Sequence, residues 1–149
     1  MINDNLTLRG DVAIVLKDKN GNVKESREIN NLVVTAGLTF ICSRMAGTSA
    51  GVMSHMALGS STTAAAAGQT DLVSILGSRE ALDSSTPSAN TIVYVSSFEA
   101  GEGTGAVTED GVFNASSSGT MLCRTVFAVV NKGADDTMSV TWTITLTAS

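Results

Sequence analysis

The stretch Thr137-Met-Ser-Val-Thr-Trp-Thr-Ile-Thr-Leu-Thr147 decides the class of this chain. Met138, Val140, Trp142, Ile144 and Leu146 alternate with Ser139, Thr141, Thr143, Thr145 and Thr147 without a break. Successive side chains of a strand point to opposite faces, so one face here is apolar and the other carries only hydroxyls. Such a segment is a strand packed on one side. Trp142, on the apolar face, reads as the main packing residue of a core rather than as a sugar platform.

Working outward, Met121 to Val130 is apolar at both parities, as a central strand is. Thr91 to Phe98, Val107 to Phe113 and Met53 to Leu58 are further strands, and another starts within Arg79 to Asp83. Near the start, Val12, Ile14 and Leu16 alternate up to Lys19-Asn20-Gly21-Asn22, where Asn-Gly signals a tight hairpin. The return strand, roughly 23–34, carries Lys24, Glu25, Arg27 and Glu28, which places it at a sheet edge. Thr35 then suits a helix N-cap, and Leu38, Ile41, Cys42 and Met45 fall on one helical face, with Arg44 in the last turn and Gly47 beyond it. Residues 59–70 are small, uncharged and low in complexity, a long surface loop anchored by Leu72 to Leu76. The expectation is an all-β chain: one domain over 1–149, a single β-sandwich, jelly-roll-like, of about eight strands with one short helix near 36–46.

Composition agrees and narrows the chemistry. A chain of 149 residues is one domain, and 43% hydrophobic with 15% charged residues fits a packed globule. Thirty-six Ser and Thr and 14 Gly against 4% aromatics suit short strands and turns. The net charge of −5 disfavours nucleic acid. That charge is uneven: residues 1–50 hold six basic and five acidic groups, whereas 51–149 hold three and nine. The start has neither the basic nor the apolar region of an export signal, and no run is long enough to span a membrane. In a cytoplasm-made protein, Cys42 and Cys123 are expected to be reduced, apolar packing groups.

No constellation reads as catalytic or metal-binding. The single His55 lacks a nearby nucleophile and orienting carboxylate. Glu109 and Asp110 are adjacent on a strand, point to opposite faces, and read as a solvated edge or turn. Gly101, Gly103 and Gly105 have the look of a phosphate loop, but no Lys-Ser/Thr follows, so a flexible turn is preferred. Asp18, Asn20 and Asn22 have calcium-loop spacing without the closing Glu, so a hairpin is preferred. No cofactor is implied.

From about Met53 onward, ordered phrases of the chain resemble small virion structural proteins of tailed bacteriophages. They are Met56-Ala-Leu-Gly-Ser-Ser-Thr-Thr63, Gly68-Gln-Thr-Asp-Leu72, Arg79-Glu80, Thr91-Ile-Val-Tyr-Val-Ser-Ser-Phe98, Glu99 to Asn114, Gly119 to Phe127, and Val140-Thr-Trp-Thr-Ile144. The resemblance implies a subunit made in the bacterial cytoplasm and located in the virion. The role expected is a capsid cement or decoration protein that bridges subunits of the major capsid protein, as a dimer or trimer. The alternative is a tail, baseplate or fibre-associated component. It transfers no catalytic residues, and neither nucleic acid nor membrane is an expected partner. For the contacts themselves, two segments stand out: a polar arm over residues 1–6 with Ile2 and Leu6 as isolated apolar anchors, and the 59–70 loop with Ser60, Thr62 and Thr63.

Overall fold

The computed structural model describes residues 4–48 and 50–148, of which ten strands and one helix are the regular elements. In chain order these are β1 (Leu6–Lys17), β2 (Val23–Asn30), β3 (Leu32–Val33), α1 (Thr35–Met45), β4 (His55–Gly59) and β5 (Glu80–Ala81). There follow β6 (Ser84–Ser88), β7 (Thr91–Phe98), β8 (Gly105–Phe113), β9 (Met121–Lys132) and β10 (Thr137–Ala148). Strand makes up 53% of the chain and helix 8%, an all-β sandwich of two antiparallel five-stranded sheets. One sheet has the order β2-β1-β10-β7-β6 and the other β3-β9-β8-β4-β5. The first is the open sheet, and the second, overlain by the chain after β4, is the covered sheet.

The decisive alternation lies at the centre of the open sheet. β10 pairs with β1 along its whole length, from Thr137 opposite Lys17 to Ala148 opposite Leu6, and with β7 on its other side. Its inward residues Met138, Val140, Trp142 and Ile144 are buried beside Val12, Ile14 and Leu16 of β1 and Tyr94 and Phe98 of β7. Met56 and Leu58 of β4, Val107 and Val112 of β8, and Phe127 and Val130 of β9 close the core from the covered sheet. The Asn20-Gly21 hairpin forms with Gly21 at φ +83, a value that costs glycine little. Asp18 is its staple: Oδ1 accepts the N–H groups of Asn20 at 2.9 Å and Asn22 at 3.0 Å. Those donors hold the Asp18 carboxyl below its ordinary pKa, the Asn22 N–H contributing most. β2 is an edge strand, as its charges required.

Five expectations change. The return strand breaks at Asn31, so β2 stays in the open sheet while β3 crosses to pair with β9. The arm ends earlier than residue 6, because Leu6 already pairs with Ala148. Thr35 is the first helical residue rather than the cap; Val34 flanks it, and the Thr35 N–H is satisfied by the Ala67 carbonyl at 2.8 Å. The helix also turns a different face inward. Phe40 and Ile41 pack on the core, whereas Leu38 (46% exposed), Cys42 and Met45 (82%) face outward. Gly37 is the cause: a Cβ there would lie 2.1 Å from the Leu122 carbonyl oxygen, so the helix backbone seats directly on β9 at that residue. Cys123 is buried as expected, and Cys42 is not.

Candidate functional site

Strand alternation sends Glu109 and Asp110 to opposite faces of β8, and both are buried at 0% exposure. The expectation of a solvated edge is wrong because neither face of this part of β8 is free. Asp110 points between the sheets; Glu109 points outward, under the long loop after β4. Arg124, fully buried and one strand over on β9, opposite Gly111, faces the same way as Glu109.

Glu109 and Arg124 organise everything above them. Arg124 Nε donates to Glu109 Oε2 at 2.9 Å and Nη2 approaches the same oxygen at 2.7 Å. The remaining Glu109 capacity is taken by loop backbone: Oε1 accepts Ser74 N–H at 2.7 Å and Ser61 N–H at 3.3 Å, and Oε2 accepts Val73 N–H at 3.1 Å. Arg124 Nη1 donates to Gln69 Oε1 at 3.0 Å and Nη2 to the Thr63 carbonyl at 3.0 Å. Thr108 Oγ1 adds a bond to the Ser61 carbonyl at 2.8 Å. One ion pair thus ties down both limbs of the 60–78 segment. Gly59 makes this possible, since a Cβ there would stand 2.5 Å from Glu109 Oε1. A buried pair is stable only when its spare donors and acceptors are met, and here loop backbone meets them.

On the other face, the Asp110 carboxyl accepts the Trp142 indole N–H at 3.1 Å through Oδ2, while Oδ1 is buried without a hydrogen-bond partner. Burial pushes its pKa up to about 8, outweighing the Trp142 bond, and Glu109 adds to the rise. Asp110 is therefore predominantly a neutral acid at pH 7. Burial likewise pushes up the adjacent Cys123 thiol, so it is a packing group and not a nucleophile. The third buried ion, Lys132, bonds the carbonyls of Glu99 at 2.8 Å and Asp136 at 2.7 Å, joining two turns at one end of the sandwich. Burial lowers its pKa, against the pull of Asp136.

The contact residues expected from sequence separate. Ile2 lies outside the described residues. Leu6 is 67% exposed at the start of β1, in the open sheet. Ser60, Thr62 and Thr63 share the loop over the covered sheet. The Ser60 N–H bonds the Ser74 carbonyl at 2.8 Å, and the Thr63 N–H bonds Ser61 Oγ at 3.1 Å. Thr62 lines a depression of about 410 Å³ with Asn30, Leu32 and Ala65. His55 does have a hydroxyl neighbour: Ser54 Oγ lies 2.8 Å from its Nδ1, a contact missed in sequence because the two are adjacent. No carboxylate hydrogen-bonds to that imidazole among the described residues, so the pair lacks the orienting third group of a triad. Asp18 spends its carboxylate on the hairpin rather than on a cation.

Sequence reasoning passed over Arg124. The signal was present: a lone arginine inside the apolar run Met121-Leu-Cys-Arg-Thr-Val-Phe127 must be paired if the strand is buried, and Glu109 stands on the neighbouring strand. No known protein family, curated protein or solved structure matches this chain.

Proposed function

We propose that this chain is a non-enzymatic structural subunit of a tailed-bacteriophage virion, a capsid cement or decoration protein that sits on the outside of the shell and bridges neighbouring capsid subunits. The observation that carries the reading is the loop held by Glu109 and Arg124. The phrases that resemble virion proteins converge on it: Met56 to Thr63 forms β4 and the loop's first limb, Gly68 to Leu72 its crest, Glu99 to Asn114 supplies Glu109, and Gly119 to Phe127 supplies Arg124. A twelve-residue run of small residues, costly to order on binding, is here ordered by folding. It therefore offers Thr62, Thr63 and their alanine neighbours as a preformed surface, and attachment loses little conformational freedom. Weak contacts of this kind add up across a repeating lattice.

The groups that look reactive are committed elsewhere: Glu109 and Arg124 to the loop, Asp110 to Trp142, Lys132 to two carbonyls. Copy number in purified particles tests the reading. Hundreds of copies per particle support cement, a dozen or fewer support a tail, baseplate or fibre component, and absence from the particle overturns both. Ala64→Lys, exposed on the loop, is expected to lower occupancy without lowering the melting temperature.

A further inference from the structure

The two outer faces of the sandwich differ in charge. On the open sheet, the outward positions of β7 from Thr91 to Ser97 and of β10 from Ser139 to Thr147 are Thr, Ser and Val throughout. None is charged, although 15% of the chain is. Val93 and Val95, with Ala13 and Val15 on β1, belong to neither core cluster and are half-buried on this face. Depressions of about 500 and 330 Å³ open on it, lined by β1, β2 and β10 alone. The charges lie around that centre, where Arg9 pairs with Asp11 at 2.8 Å, Glu28 stands exposed on β2 and Lys17 is exposed at the far end of β1.

We infer that this face is where a second copy of the chain docks, open sheet against open sheet. A water-facing sheet ordinarily carries Lys and Glu, as β2 does here. An uncharged centre with a charged rim of both signs is instead the pattern of an interface. A second copy fits that centre for two reasons. It brings an equally uncharged surface, so no charge is buried unpaired. It also brings the same twist, and sheets of like twist stack about 10 Å apart with strands near −30°. Thr and Val have little rotamer freedom to lose. The area is that of a weak dimer: β7 and β10 with the adjoining uncharged parts of β1 and β6, four strands spaced about 4.8 Å over about six residues, give roughly 400 Å² per copy. Doubled, that is roughly 800 Å², at the low end of interface size where weak, transient contacts lie. This association belongs to the free protein, so its failure leaves shell attachment through the loop untouched.

Sedimentation of the full chain in reducing buffer, which keeps the exposed Cys42 thiol out of the measurement, tests it across the micromolar range. A concentration-dependent monomer–dimer equilibrium is expected. Val95→Arg and Thr141→Arg should each weaken it about tenfold or more, while Val73→Arg, outside the open sheet, should leave it unchanged. Circular dichroism and melting temperature report whether each variant is folded. Hydroxyl-radical labelling of Val93 and Val95 in the unmodified protein should fall between dilute and concentrated samples. A chain that stays monomeric up to about 200 µM overturns the inference. So does a dimer indifferent to both arginine variants, or labelling that does not change with concentration.

Discussion

The open and covered sheets are built from the same alternating pattern and end with opposite outer faces. Along β10, inward Trp142 and outward Thr143 obey the rule of one face buried and one exposed to solvent. Along β8, inward Asp110 and outward Glu109 are both buried, because the chain returns over the covered sheet and brings backbone donors with it. Alternation thus assigns a side chain to a face, and long-range chain return decides whether that face is wet. The covered sheet has two interiors, one between the sheets and a smaller one under the loop, where Val34, Ala57, Phe113 and Met121 cluster.

The largest effects should come from the interior common to both sheets. Trp142→Ala is expected to cost about 3–5 kcal/mol, from the cavity it leaves. It also removes the one side-chain hydrogen-bond donor to Asp110 among the described residues. Thr143→Ala, on the opposite face, should cost less than about 1 kcal/mol. Chemical denaturation compares the two, and similar costs would break the distinction between inner and outer faces. Arg124→Ala should follow closely, at about 3–5 kcal/mol, because it strands a buried Glu109. Limited proteolysis of that variant should cut first within residues 60–78. Restoring an uncharged site with Glu109→Gln in the same chain should recover part of the loss.

The comparison sharpens with pH. The folded Asp110 pKa of about 8 stands above the ordinary carboxylate value, so the folded state holds a proton that the unfolded state releases. Stability contributed by that proton is fully present below about pH 4 and is lost as pH rises towards about 8. The slope should be roughly 1 kcal/mol per pH unit in the middle of that window. Asp110→Asn, which mimics the protonated acid, should flatten it; a slope unchanged in that variant would place its source elsewhere. The smallest effect is expected at the hairpin, where Asp18→Ala removes the acceptor for two N–H groups and should lower the melting temperature only slightly.

Much of the architecture could be read from local pattern. The alternation of 138–147, the Asn20-Gly21 hairpin, the charged edge strand and the presence of a helix after residue 35 all follow from neighbours in sequence, because strand and helix periods and turn chemistry are local properties. Residues 60–70 were recognisable as a loop for the same reason, although Gly59, read with them, closes β4. The rotation of the helix was not, since it depends on Gly37 meeting the Leu122 carbonyl from a strand far along the chain. Nor was the burial of Glu109, Asp110 and Arg124. Charged residues in a strand read as solvent-facing until their partners are known, and these partners are Trp142, the loop backbone and each other. By itself the sequence determined which face each strand residue occupies. Only the tertiary structure decided which outer face became an interior, because desolvating a charge is tolerable only where distant backbone groups and an opposite charge replace the water.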